Sequence, residues 1–342
     1  MKISLTTQDK FNILGVLIIS LLLGWVVYSK GGIEPIAALI VSLGYLFTIL
    51  FNGFLKSQKF EGIGEHYGTC GELVQGFLSE GKQFHVTCPI NKTSSVKAHI
   101  RKDFTPKINY PDGFSKIKKA AELALKSLDK DWYSVDIERW SDLDIGKGMG
   151  SSTADIIATV KAIYSAFNAE VSEQILIDIA TTIESSDGSM VDGMVAFNHK
   201  NGEIYHRFNY YPKFNIVIII PESTYNTESI KFAGKELDSK KFEKIFNKLQ
   251  KADIKNDIKL FAKCAMKSAD LNLEYLPNKL IYQIRKDMKK NKKILGYCVG
   301  HTGNVCGALF MPNDAGRLSA TKYAIELGQK LSNAKVEIVR IP

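Results

Sequence analysis

The chain has 342 residues, 24% of them charged and 45% hydrophobic, with a formal net charge of +9. This balance fits one large domain or two modest ones plus an appendage, and it excludes a disordered or fibrous chain. The five cysteines, Cys70, Cys88, Cys264, Cys298 and Cys306, form no C-x-x-C pair and are odd in number, which argues against a disulfide framework or zinc site and for a reducing compartment.

Two uncharged runs come first, "FNILGVLIISLLLGWVVYS" at 11–29 and "PIAALIVSLGYLFTILFNGFL" at 35–55. Each is long enough to cross the hydrocarbon core of a bilayer as a helix. A second run follows the first at once and no small-residue cleavage site lies between them, so a hairpin in the lipid bilayer is expected over 1–58, not a signal peptide. Lys2, Lys10, Lys56 and Lys59 flank the pair, whereas the turn offers only Lys30 against Glu34. Positive charge stays inside, which places both termini and everything after residue 59 on the cytoplasmic side of the membrane.

The segment 84–100 alternates as a strand does, and 114–128 repeats apolar residues at helical spacing. Residues 132–138, "WYSVDIE", read as a strand that runs into a glycine-rich loop. Helices are expected over 151–167 and 172–184, and a hairpin over 193–197 and 203–208 around "HKNG". The branched run 214–220, "FNIVIII", reads as a buried strand. Lysine-rich helices fill 228–293, and their lysines read as solvated faces, not as a surface for nucleic acid. Two short strands around a glycine turn (294–311), a helix (314–332) and a last strand (335–340) complete the chain. Strands and helices mix without regular βαβ alternation, which favours an α+β fold with two subdomains.

The loop before the helix at 151 reads "DIGKGMGSSTAD". A helix N-terminus leaves N–H groups unpaired and carries partial positive charge, and glycine lets the backbone come close to an anion. Gly146, Gly148 and Gly150 give that freedom, Lys147 adds charge, and Ser151, Ser152 and Thr153 add hydroxyls. The spacing is neither that of a Walker A loop nor G-x-G-x-x-G. An ordinary helix start with a flexible lead-in would use the same residues.

Three segments carry a family resemblance. "GKGMGSSTAD" resembles the second motif of the GHMP small-molecule kinases, "YGTCGELVQG" at 67–76 resembles the first, and "GHTGNVCGALF" at 300–310 resembles the glycine-rich third. Their details resemble the branch that phosphorylates L-threonine for cobalamin assembly. The resemblance implies a ribosomal-S5-like, ATP-binding N-terminal subdomain over 59–212 and a ferredoxin-like C-terminal subdomain over 213–342. It also implies ATP phosphates held by Gly146, Lys147, Gly148, Met149, Gly150, Ser151, Ser152 and Thr153, and Mg²⁺ on Glu184 and Ser152, with Ser151 as the alternative serine. Asp187 would act on the acceptor hydroxyl, with Lys147 meeting developing charge. Gly71 and Glu72 in the first motif, and His301, Thr302 and Gly303 in the third, would line the acceptor pocket.

Glu184 and Asp187 stand three apart at the end of an expected helix, near enough to serve one site, although a capped helix end would look alike. Asp192 competes with Asp187. Asp155 in the first helical turn is favoured by the dipole alone, or orders the serines or a substrate amine. Cys70 reads as a packed thiol. The acceptor reads as a small-molecule hydroxyl, L-threonine first, with homoserine, a sugar or an isoprenoid alcohol as alternatives. A membrane-tethered nucleotide-binding protein without catalysis is the non-enzymatic alternative.

Overall fold

The computed structural model describes residues 43–47, 59–103, 105–222, 239–273, 278–301 and 305–342. The expected hairpin lies almost wholly outside the described residues; of it, 43–47 is helical. Among the described residues no helix is long and apolar enough to cross a membrane.

A long antiparallel pair, β1 (Lys59–Phe77) and β2 (Gln83–Lys102), forms the spine. In chain order there follow β3 (Ile108–Asn109), α1 (Ser115–Ser127), β4 (Tyr133–Ser141), α2 (Ser151–Ala166) and α3 (Glu173–Ile183). The hairpin β5 (Met194–Phe197) and β6 (Ile204–Phe208) comes next, then β7 (Asn215–Pro221). After these come α4 (Ser239–Ile254), α5 (Ile258–Asn272), α6 (Lys279–Lys290), β8 (Gly296–Val299), β9 (Cys306–Phe310), α7 (Asp314–Lys330) and β10 (Ala334–Arg340). The sheet runs β10-β7-β9-β8-β1-β2-β4-β3, with β5 pairing β2 at one side. Its C-terminal four strands, all antiparallel neighbours, follow the split βαβ order of a ferredoxin-like unit. The expected α+β architecture is the one observed.

Apolar alternation is hidden in β1 because its inward positions before the first motif are Phe60, Gly62, Gly64 and His66. The glycines are there because α2 lies flush on the strand. A Cβ on Gly62 would sit 2.1 Å from the Ala162 carbonyl oxygen, and one on Gly64 would sit 2.1 Å from that of Ala158. Small residues at four-residue spacing on α2 (Ala154, Ala158, Ala162) give the matching flat stripe, and most of the helix is buried. The register of β1 against β2 shifts three times between Tyr67 and Val74. These irregularities bend the strand where the first motif lies.

Candidate functional site

The loop from β4 into α2 has Gly146, Gly148 and Gly150 at φ values of 72°, 79° and 64°. Glycine adopts this left-handed backbone without strain. Gly150 is the residue that precedes α2, so no side chain caps the helix. The opening N–H groups of α2 therefore face outward with the helix dipole behind them, as an anion cradle requires. The Thr69 N–H donates to the Met149 carbonyl (2.8 Å), which fixes the loop to the first motif. The Met149 side chain is buried in the core, so only its backbone can serve the site. The Lys147 ammonium donates to the Glu222 backbone carbonyl.

The turn after α3 brings the two expected acids to this loop. A Cβ on Gly150 would lie 2.9 Å from Asp187 Oδ2 and 3.0 Å from Thr69 Oγ1, so the carboxylate rests directly against the start of α2. Asp187 Oδ1 accepts from the Ser189 N–H (2.9 Å), and the Gly188 N–H donates to Thr87 Oγ1 on β2 (3.0 Å). Burial pushes the Asp187 carboxyl above the usual aspartate range, against hydrogen bonds to Ser189 that lower it.

Glu184 and Ser152 are joined by a residue that the sequence reading did not single out. The Lys116 ammonium, from the first turn of α1, lies 2.5 Å from Glu184 Oε2 and 3.2 Å from Ser152 Oγ. Glu184 Oε1 is buried without a hydrogen-bond partner. A cation already bridges the two groups expected to hold Mg²⁺, and one carboxylate oxygen still lacks a partner; the pair therefore fits a hard divalent ion. A lysine in a first helical turn opposes the dipole, and that was the available signal.

The other acids separate. Asp155 accepts from Arg139 Nε (2.7 Å) and from the Ser94 hydroxyl, so it ties α2 to β4 and β2 and does not order the serines. Asp192 is exposed, and its N–H donates to Glu173.

The first and third motifs meet at two glycines. A Cβ on Gly71 (φ 64°) would lie 2.3 Å from Gly300 Cα. Glu72 is buried beside them and pairs across the sheet with Thr87 and Val299. Burial, with Asp187 nearby, pushes its carboxyl well above the usual range. His301 Nδ1 is 2.8 Å from Gln75 Oε1, while Thr302 and Gly303 lie outside the described residues. Cys70 is fully buried with its Sγ 3.8 Å from Cys298 Sγ, a packed thiol whose ionisation burial opposes. His85 and His199 complete this polar floor and were missed, since nothing in their spacing brings them together. A separate cavity of about 350 Å³, beside Gly188 and Ser189, is lined by His66, Lys161 and Asp192 among others.

Comparison with known proteins agrees with this geometry. Residues 115–199 match the family model described as the GHMP kinases N terminal domain. The chain is 23% identical over 256 residues to an L-threonine kinase of Citrobacter freundii, covering 72% of this chain and 85% of that one. It is 24% identical over 246 residues to an L-threonine kinase of Salmonella typhimurium, covering 70% and 80%. Among solved structures it resembles a homoserine kinase from Cytophaga hutchinsonii, with a TM-score of 0.63, 15% identity, and 83% and 94% of the two chains covered. It also resembles the L. major mevalonate kinase, with a TM-score of 0.60, 14% identity, and 83% and 95% covered.

Proposed function

We propose that this chain, a GHMP-type kinase and so an ATP-dependent phosphotransferase, moves the γ-phosphoryl group of ATP to the hydroxyl of L-threonine. The observation that carries the reading is the convergence of Asp187, Gly150 and the Ser152–Lys116–Glu184 cluster at the uncapped start of α2. Phosphoryl transfer depends chiefly on positioning and on charge stabilisation, and these residues are of the right kinds for both.

The backbone N–H groups of 150–153 would hold phosphate oxygens. Ser152 and Glu184 would hold Mg²⁺, which would supply positive charge to offset that of the phosphates. Asp187, fixed by the Ser189 N–H and pressed against Gly150, would accept the acceptor's hydroxyl hydrogen bond and hold its oxygen in line with the γ-phosphorus. Lys147 would reach the phosphates only by leaving the Glu222 carbonyl. The acceptor would lie on the Glu72 side of Asp187, where Gly71 meets Gly300 and His301, with Thr302 and Gly303 completing the loop. A floor of buried carboxyl and imidazole groups suits a zwitterion and opposes an isoprenoid chain. L-threonine is placed first because both curated relatives cited above carry that activity in their names.

Residues 59–212 and 213–342 serve as the two subdomains of this reading, and the hairpin over 1–58 as an anchor at the cytoplasmic face of a membrane. Carbonate extraction of cell membranes tests the anchor: release of the full chain into the soluble fraction would remove it. The function is tested with the purified full chain, Mg·ATP and a panel of L-threonine, L-serine, homoserine, mevalonate and sugars. ADP release together with O-phosphothreonine, identified by mass spectrometry, is expected for L-threonine. Turnover with another alcohol alone would refute the acceptor, and ATP binding without any turnover would refute the enzyme.

A further inference from the structure

Three of the six histidines, His85, His199 and His301, come from three separate elements and converge. His85 lies on β2, His199 follows β5, and His301 follows β8. One ring nitrogen of each lies within 4.8 Å of the other two. The His85 and His199 rings stack with centroids 4.3 Å apart and planes 1° apart, and the His301 ring is 4.4 Å from His85. Glu72 Oε1 is 3.9 Å from His85 Nδ1. We infer that this cluster is a divalent transition-metal site, of the zinc class, with His85, His199 and His301 as ligands and the Glu72 carboxyl beside His85.

Three observations support the assignment. Two polar atoms at the cluster, Glu72 Oε2 and His199 Nδ1, are buried without a hydrogen-bond partner, a state that native structures avoid. Three ring nitrogens with a carboxyl beside them form the donor set of a metal ion. The outer sphere is also in place. Gln75 Nε2 donates to the Val299 carbonyl (3.5 Å), which turns Oε1 toward His301 Nδ1 (2.8 Å).

The rings must close somewhat on the ion, since bonds of about 2.0–2.1 Å at tetrahedral angles put ligand nitrogens about 3.4 Å apart. Imidazole suits zinc, iron, cobalt or nickel, and because its lone pair lies in the ring plane, the stacked His85 and His199 rings must turn about their side-chain bonds to meet one ion. The ion would join β2, the β5–β6 turn and the third-motif loop at one point. It would also reach the acid-bearing turn, because the His199 carbonyl accepts from the Ser186 N–H (2.9 Å). The inference uses none of the phosphate-loop residues; it shares His301 with the proposed acceptor side, and its zinc readout does not depend on which acceptor binds there.

The test uses the untagged full chain, stripped with a chelator and then titrated with Zn²⁺ or Co²⁺ in excess Mg²⁺. One equivalent of Zn²⁺ per chain should survive gel filtration. The Co²⁺ form should give the visible bands of a four-coordinate nitrogen and oxygen site with no thiolate charge-transfer band. His199→Gln and His85→Asn should each weaken the affinity on the order of 100-fold, while Ser152→Ala should leave it unchanged. X-ray absorption on the wild-type Zn²⁺ form keeps the test decisive should a histidine variant fail to fold: three imidazole ligands are expected. Failure to retain zinc, a thiolate–cobalt band, fewer than two imidazoles, or an affinity indifferent to folded histidine variants would each overturn the site.

Discussion

Replacing Gly150 by alanine tests whether the loop and the acid form one machine. Alanine at φ 64° costs about 1–2 kcal/mol of backbone strain. Its Cβ would stand 2.9 Å from Asp187 Oδ2, about 0.5 Å inside the ordinary contact distance of 3.4 Å, so the carboxylate must move by about that much. A misplacement of about 1 Å in a reacting group costs about 100-fold in rate, so half of it should cost about 10-fold. Gly81→Ala is the matched control, since Gly81 has φ 71° and open space around it. Both variants should melt about 2–8 °C lower, from strain alone at about 2–4 °C per kcal/mol. Only Gly150→Ala should lose roughly 10-fold or more in kcat with L-threonine, measured by coupled ADP release. Equal activity in the two variants would mean that the contact between Asp187 and the loop has no part in catalysis, and the positional argument would fail.

Asp187→Asn should lower kcat by about 10²–10⁴-fold while the KM for ATP changes little; a loss confined to KM would reassign Asp187 to binding. Glu184→Gln should raise the Mg²⁺ concentration needed for half-maximal rate, and Lys116→Met should lower it about 2–5-fold, because a half-exposed ion pair is worth only about 0.5–1 kcal/mol. A higher Mg²⁺ requirement in Lys116→Met would make Lys116 a phosphate ligand and not a placeholder. Burial takes the His66 imidazole down to about 3 from the unfolded value of about 6.5. Between those values the unfolded chain binds the extra proton, so His66 makes stability rise with pH across that window. His66→Gln should flatten the rise in melting temperature from pH 3 to 6.5, and an unchanged slope would exclude His66 as its source.

The elements nearest the site were the most legible. The helix expected over 151–167 is α2 at Ser151–Ala166, and the strand expected over 214–220 is β7 at Asn215–Pro221. In both, local patterning and burial act together. The strand β1 was not legible, because packing against α2 puts glycine where alternation would place Val or Ile, and Ile63 faces solvent instead. Within the site, the loop glycines and the Glu184–Asp187 spacing could be read because each lies in one short segment. Lys116 and the histidine cluster could not: Lys116 is 68 residues from Glu184, and His85 and His301 meet only through the sheet. Asp155 looked like a dipole partner, and only tertiary structure reveals Arg139 and Ser94 beside it.

A phosphate cradle must be free in backbone conformation yet fixed in position, and this fold meets both demands through β1 and β2. The carbonyls of Ala158 and Ala162 rest on Gly64 and Gly62 of β1, and Asp155 is held by Ser94 of β2, so α2 cannot slide along its axis. At its open end the Thr69 N–H of β1 takes the Met149 carbonyl. The acid turn is referred to the same strands, through Thr87 Oγ1 of β2 and the Gly188 N–H. Donor cradle and acceptor acid therefore share one frame, and their separation is set by the local shape of that frame. Of the three register shifts between Tyr67 and Val74, one falls between the two attachment points, Thr69 on β1 and Thr87 opposite Glu72 on β2. Under the proposed function the irregular strand of the first motif would set the separation of cradle and acid, with Gly71 and Glu72 of the same motif on the acceptor side.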